Sequence, residues 1–223
     1  MSETEFTRTR LVLIRHGESI VTVRRIIGGP LSCVGLSDLG RQQAERLGER
    51  LRDTGELGAA TLYSSAYPRA IETAELIAPS LAVELCVDER FGEHDPGPDC
   101  DGMSFAAFLE RYGRPDWHGD PYAETFPGGE TLASFHHRIG SALADVIGSG
   151  VTGSGGTIVI VCHGGVVDAV FRQLLRLPST GGFELQASNT SLTEFVMVKP
   201  GMWRLARFND AAHLAGLPLE TPR

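Results

Sequence analysis

Leu11-Val12-Leu13-Ile14-Arg15-His16-Gly17-Glu18-Ser19 is the stretch that decides how this chain folds. Four unbroken apolar residues make a short strand buried on both faces, the pattern of an inner strand of a parallel sheet. A charged turn directly after such a strand lies where open α/β sheets place their ligands. The second half of the chain repeats the arrangement, with Ile158-Val159-Ile160-Val161-Cys162 running into His163-Gly164-Gly165. If both strands are central and parallel, both histidines emerge at one carboxyl edge and face each other.

Working outward, Ser37 to Arg52 is expected to be a helix, with Ser37 as N-cap, Ala44, Leu47 and Leu51 on one face, and Gly55 past its end. Thr61–Tyr63 is a short strand. Pro68 starts a helix through Ile71, Ala74 and Ile77 that is predicted to stop before Pro79. Val83–Val87 is a third strand. Residues 94–129 break the rhythm with Pro, Gly and Asp around one short helix, Ser104–Tyr112, and form an inserted cap; loops this long in a compact domain usually serve function. Thr131–Ile147 is helical, Gly148–Gly156 is a small-residue loop, and a helix through Val167, Val170, Phe171 and Leu174 follows His163. Ser191–Val198 and Trp203–Phe208 complete the set as strands. The expectation is one α/β domain over residues 1–223, a three-layer α/β/α sandwich with a mostly parallel central sheet and a cap insertion.

Composition narrows the function. Of 223 residues, 42% are hydrophobic and 22% charged, which excludes a disordered chain. Twenty basic against 28 acidic residues give a formal charge of −8, which argues against a nucleic-acid binder. Lys199 is the sole lysine, so arginine carries almost all the positive charge. No apolar run approaches the ~20 residues needed to span a bilayer, and Met1–Arg10 lacks a secretory apolar stretch; a soluble, cytoplasmic protein with no membrane partner is expected. Cys33, Cys86, Cys100 and Cys162 form no C-x-x-C pair and are expected to be reduced thiols, Cys86 and Cys162 buried in strands.

Two histidines at one sheet edge, joined by Arg15, suggest an anion site with a nucleophilic imidazole. An imidazole with an unperturbed pKa of ~6.5 is partly neutral at cellular pH and can attack. The planar fork of Arg15 suits a phosphate or carboxylate. Gly17 and Gly164 let backbone N–H groups approach an anion closely.

The pentapeptide Arg15-His16-Gly17-Glu18-Ser19 resembles the signature of the histidine phosphatase superfamily, the phosphoglycerate-mutase-like proteins. The resemblance continues in order through Leu36–Ala44, Tyr63-Ser64-Ser65 with Arg69–Ala74, Asp88–Gly97, Pro127–Thr131 and Val161–Gly165. It implies a metal-independent phosphomonoesterase, without cofactor, acting on a small phosphorylated substrate. His16 would form a phosphohistidine while Arg15, Arg69 and His163 surround the phosphate oxygens. Glu93, preferred over Glu89 and Asp95, would be the acid and base. Gly17, Gly164, Thr22 (where the family often has Asn) and the loop arginine Arg25 would contact the substrate. The alternatives are a phosphoglycerate mutase and a non-catalytic relative that binds phosphorylated ligands. The mutase is less favoured because its usual lysine after the acid is missing, although Arg111 or Arg114 could replace it.

Outside the motifs, Glu130 is expected to support the nearby helix start. Trp117 is placed in the cap, lining the site, and Trp203 in strand packing. His94, His118, His136, His137 and His213 are expected to be solvated or locally hydrogen-bonded. A homodimer is left open, because a dimerising helix has the same amphipathic pattern as any other.

Overall fold

The computed structural model describes residues 8–58, 60–148 and 156–218. The Gly148–Gly156 loop lies almost wholly outside the described residues. Six strands form one sheet: β1 (Arg10–Arg15), β2 (Ala60–Ser64), β3 (Leu85–Val87), β4 (Thr157–Cys162), β5 (Leu192–Lys199) and β6 (Met202–Asp210). Their spatial order is β3-β2-β4-β1-β5-β6. The pairs β1–β4, β2–β4 and β2–β3 are parallel, whereas β5 is antiparallel to both β1 and β6. The sheet is therefore mixed, and its parallel part holds the two strands that end in histidine.

The helices are α1 (Ile20–Val23), α2 (Asp38–Thr54), α3 (Pro68–Leu81), α4 (Phe105–Tyr112), α5 (Leu132–Gly148) and α6 (Gly164–Leu174). Alternation along the strands sends side chains to two cores. Leu11, Leu13, Ile158 and Ile160 pack on one face with Phe135, Ile139 and Leu143 of α5 and Val166 and Val170 of α6. Val12, Ile14, Val159 and Val161 pack on the other with Leu47 and Leu51 of α2 and Ala70, Ala74 and Ile77 of α3. Each fully buried aliphatic side chain contributes about 1.5–3 kcal/mol. From Leu11 to Arg15 β1 is buried, as is β4 throughout, because both faces are covered, which gives the three layers. Segment 94–129 carries α4 and its own small apolar cluster of Cys100, Phe108 and Phe126.

Ser37 caps α2 by accepting from the Gly40 N–H, and Gly55 ends that helix in the left-handed region at φ 59°. Three expectations need correction. Helix α3 continues past Pro79 to Leu81. The proline lies on the exposed face, as does Glu75 four residues earlier, so water can satisfy the carbonyl that loses its partner. Strand β3 is only Leu85–Val87, because Ala82 turns the chain at φ 53° and consumes the residues before it. Cys86 is exposed, since β3 is an edge strand with no helix over that position; Cys33, Cys100 and Cys162 are buried. Among the described residues no helix is long and apolar enough to cross a membrane.

A six-member ion-pair network ties the start of β1 and the α2–β2 turn to β5 and β6. Glu194 accepts from Arg10 at 2.8 Å and from Arg207 at 2.7 Å. Arg50 donates to Glu56 at 2.7 Å and to Asp210 at 2.6 Å, and Arg207 also donates to Glu56. Burial works to raise the Glu56 and Glu194 pKa values, but the guanidinium hydrogen bonds outweigh it and both are lowered. Asp210 is lowered chiefly by Arg50. Carboxylates depressed in the folded state stabilise it above their unfolded pKa of about 4, and that stability disappears as pH falls through the folded values. Thermal melts followed by circular dichroism should show a flat Tm from pH 8 to 5 and a steep fall below about pH 4. Glu56→Gln should cost about 1–2 kcal/mol near neutrality and flatten the acid limb.

Candidate active site

The parallel register sets Arg15 beside Cys162, and the His16 N–H donates to the Cys162 carbonyl at 2.9 Å. His16 and His163 thus follow neighbouring strand ends, with ring centroids 5.1 Å apart in an edge-to-face arrangement. Asn189 Nδ2 donates to the His16 carbonyl at 2.7 Å, and the Thr190 N–H donates to that of Arg15 at 2.8 Å, so the segment before β5 fixes the backbone from the other side. The Gly17 N–H donates to Thr73 Oγ1 of α3. Gly17 is needed because a Cβ there would lie 2.5 Å from the Gly40 carbonyl oxygen, where the first turn of α2 crosses the loop.

The ring partners define the tautomers. His16 Nδ1 lies 2.6 Å from the Gly17 carbonyl, which can only accept, so Nδ1 carries the hydrogen. Arg69 Nε donates to His16 Nε2 at 3.1 Å, so Nε2 carries the lone pair. The same Nε donates to His163 Nδ1 at 3.3 Å, leaving His163 Nε2–H for Ser65 Oγ at 2.7 Å. Both imidazoles are neutral in this arrangement. Burial first, then the charge of the Arg69 guanidinium, holds the His163 pKa well below its usual value. Arg69, on the first turn of α3, is buried with them and also reaches the Gly28 carbonyl. Arg15 is buried as well and donates to the Ala187 carbonyl.

Glu93 arrives from the opposite side. Its carboxylate accepts from the Gly165 N–H at the start of α6 and from the His94 N–H, each at 3.1 Å. The positive end of a helix favours a carboxylate there. A Cβ at Gly165 would stand 2.3 Å from Glu93 Oε1, so that glycine is what lets the carboxylate in. Glu89 is exposed and Asp95 is taken up by the Gly97 N–H. The loop carrying Glu93 is clamped by Arg138 of α5, which donates to the carbonyls of Arg90, Gly92 and Glu93 while paired with both oxygens of Glu130. Glu130 thereby orients Arg138.

The structure groups Arg15, His16, Gly17, Arg69 and His163, with Glu93 joined through Gly165, the residue after Gly164. Thr22 is less central: its hydroxyl lies 2.9 Å from that of Ser19, the cap of α1. Arg25 is exposed at φ 52° and lines neither of the two large clefts beside the site.

Sequence reading missed Tyr67, Ser65, Asn189 and Arg138. Tyr67 is buried, lies under the Arg69 guanidinium at 4.6 Å from its ring centre, and packs edge-on to His163. An aromatic residue immediately before the helix-starting Pro68 was the available signal. His94 also departs from expectation. It is 6% exposed, neither ring nitrogen meets a hydrogen-bond partner among the described residues, and it packs against Trp117, Phe126 and Phe135. Distant aromatic residues close over what looks in sequence like a polar loop. His118 lies beside Glu184, His213 beside Thr190, His136 is half-buried and His137 exposed.

A sequence profile of the histidine phosphatase superfamily (branch 1) matches residues 11–211. Phosphoglycerate mutase-like protein 4 of Arabidopsis thaliana is 32% identical over 208 residues, covering 92% of this chain and 86% of that protein. Among solved structures, a mycobacterial glucosyl-3-phosphoglycerate phosphatase has a TM-score of 0.76 at 28% identity, over 91% of this chain and 99% of that one. A mutant phosphoserine phosphatase of Entamoeba histolytica, in complex with phosphoserine, has a TM-score of 0.75 at 27% identity, over 92% and 99%.

A dianion entering between Arg69 and His163 would favour the imidazolium over the neutral ring. Tungstate, which carries no titratable proton near neutrality, should therefore bind with proton uptake at pH 6–7. Calorimetry in buffers of different ionisation enthalpy measures that uptake, and His163→Gln should abolish it.

Proposed function

The chain belongs to the histidine phosphatase superfamily, and on that footing we propose that it is a metal-independent phosphomonoesterase acting on a small phosphorylated metabolite through a phosphohistidine on His16. The observation that carries this reading is the lone pair of His16 Nε2, held by the Nδ1–H bond to Gly17 and directed at Arg69. Relatives and structural neighbours named as phosphatases or mutases support an enzyme of the phosphatase/mutase type.

In the proposed first step Arg69 exchanges its imidazole partner for a phosphate oxygen, and Arg15 and His163 receive the others. His16 Nε2 attacks phosphorus, the bond from phosphorus to the ester oxygen breaks, and Glu93, which enters this step as the neutral carboxylic acid, gives its proton to that oxygen as it leaves and becomes the carboxylate. The Gly17 carbonyl stabilises the positive charge developing on the imidazole. Water then attacks phosphorus while giving a proton to Glu93, the phosphorus–nitrogen bond breaks, and phosphate departs. Phosphoryl transfer asks chiefly for positioning and charge stabilisation, which two guanidiniums and an imidazolium can supply.

Rapid acid-free quenching should trap an acid-labile phosphoenzyme that is absent from His16→Ala, with kcat falling on the order of 10³-fold or more. Failure to trap it with any reactive phosphomonoester would defeat the reading. Glu93→Gln should slow an alkyl phosphate by about 10²–10⁴-fold and p-nitrophenyl phosphate far less, because a good leaving group needs little protonation. Gly165→Ala, which pushes Glu93 off the α6 start, should reproduce that asymmetry. Incubation with 3-phosphoglycerate and 2,3-bisphosphoglycerate should yield no 2-phosphoglycerate.

A further inference from the structure

A cleft of about 900 Å³ runs from Arg15, Glu93 and Gly165 out beneath the 94–129 segment. Glu93 lines this cleft and a second one beside it, but only this one also reaches Arg15 and Gly165, so it is the one that extends from the phosphate end to receive the group that departs with the ester oxygen. Its walls carry Trp117, Phe126, Phe135 and Phe183, together with the buried ring of His94. Trp117, His94 and Phe126 pack mutually edge-on or tilted, with centroids 5.1–6.0 Å apart, and Trp117 keeps 40% of its surface exposed. An aromatic surface of that kind recognises rings and apolar chains.

The charges around the cleft point the same way. Arg15 and Arg172 are the arginines among its lining residues. Arg172 is 4% exposed and already engaged: it pairs with Asp168 at 2.6 Å and donates to the carbonyls of Pro178, Gly181 and Phe183 at 2.9 Å each. Arg15 lies at the phosphate end. Of the histidines, burial keeps His94 and His136 below their usual pKa, and His118 is beside Glu184 at the rim. The carboxyl side chains of the lining are Glu93, Asp168, which is paired with Arg172, and Glu184, which lies beside His118. The cleft on the other side of Glu93 offers no better place for an anion. Its arginines are Arg90, bonded to Asp88 and Asp145, and Arg138, bonded to Glu130 and three carbonyls.

Resting on the phosphomonoesterase reading, we propose that the substrates are phosphate esters of uncharged aromatic or apolar alcohols, and that esters carrying a carboxylate or a second phosphate beside the scissile group are rejected. The ring of the alcohol lies against Trp117 and Phe126. A carboxylate in that position would have to compete with Asp168 for the already engaged Arg172, and it faces Glu184 at the rim.

Calorimetry of the full chain with benzylphosphonate and phosphonoacetate, neither of which can be turned over, tests the inference independently of catalysis. Benzylphosphonate should bind roughly ten- to a hundredfold more tightly, the range expected from burying one phenyl ring. Equal affinity, or tighter binding of phosphonoacetate, overturns the proposal while leaving the hydrolase reading intact. Trp117→Ala, checked for its native circular dichroism spectrum, should weaken benzylphosphonate about tenfold; an unchanged affinity also overturns it. In parallel, benzyl phosphate should exceed 3-phosphoglycerate at least tenfold in kcat/KM. Retained benzylphosphonate preference with no turnover of any monoester would defeat the hydrolase reading and support the cleft assignment.

Discussion

Two parallel strands ending in register are the constraint from which the site follows. Because Arg15 stands beside Cys162, the next residue on each chain is a histidine, and the two rings have no choice but to meet. Everything else at that edge serves to hold or charge the pair. Arg69 stands between the imidazoles as a shared donor, Tyr67 supports Arg69 from below, and Ser65 fixes the far nitrogen of His163. The cost of burying these polar groups is offset in part by the hydrogen bonds they make to one another and to the backbone.

A second, looser assembly brings the carboxylate. Glu93 is on a loop, and loops place side chains poorly unless something clamps them. Here Arg138 takes the carbonyls of Arg90, Gly92 and Glu93, and Gly165 leaves room for the carboxylate oxygens. His16 and Glu93, the nucleophile and acid of the proposed reaction, therefore sit on separately supported pieces. The separation suits a reaction in which one group stays fixed while the other handles a departing and then an arriving oxygen.

What could be read from the residue string divides along physical lines. Arg15, His16 and His163 were legible because a buried strand advertises itself as an apolar run and whatever follows it must emerge at the edge. The mostly parallel sheet was legible from alternation, whereas the antiparallel placement of β5 has no local signature. Gly165 appeared as one more glycine, since its purpose exists only once Glu93 lies against it. Asn189 and Arg138 act from elements remote in sequence, and no periodicity marks them. His94 and Cys86 were misjudged in opposite senses: long-range packing buried the first, and the sheet edge left the second open. Pro79 shows that a helix breaker at an exposed last turn ends nothing.

The exposure of Cys86 gives the folded chain one address for thiol chemistry. The other three sulfurs are inside, so a maleimide dye would label a single known position without any engineered mutation. That position lies on β3, seven residues before Glu93, at the strand that feeds the loop carrying Glu93. A fluorophore there would report on the environment of that strand from outside the cleft, leaving the ligand's own path unobstructed.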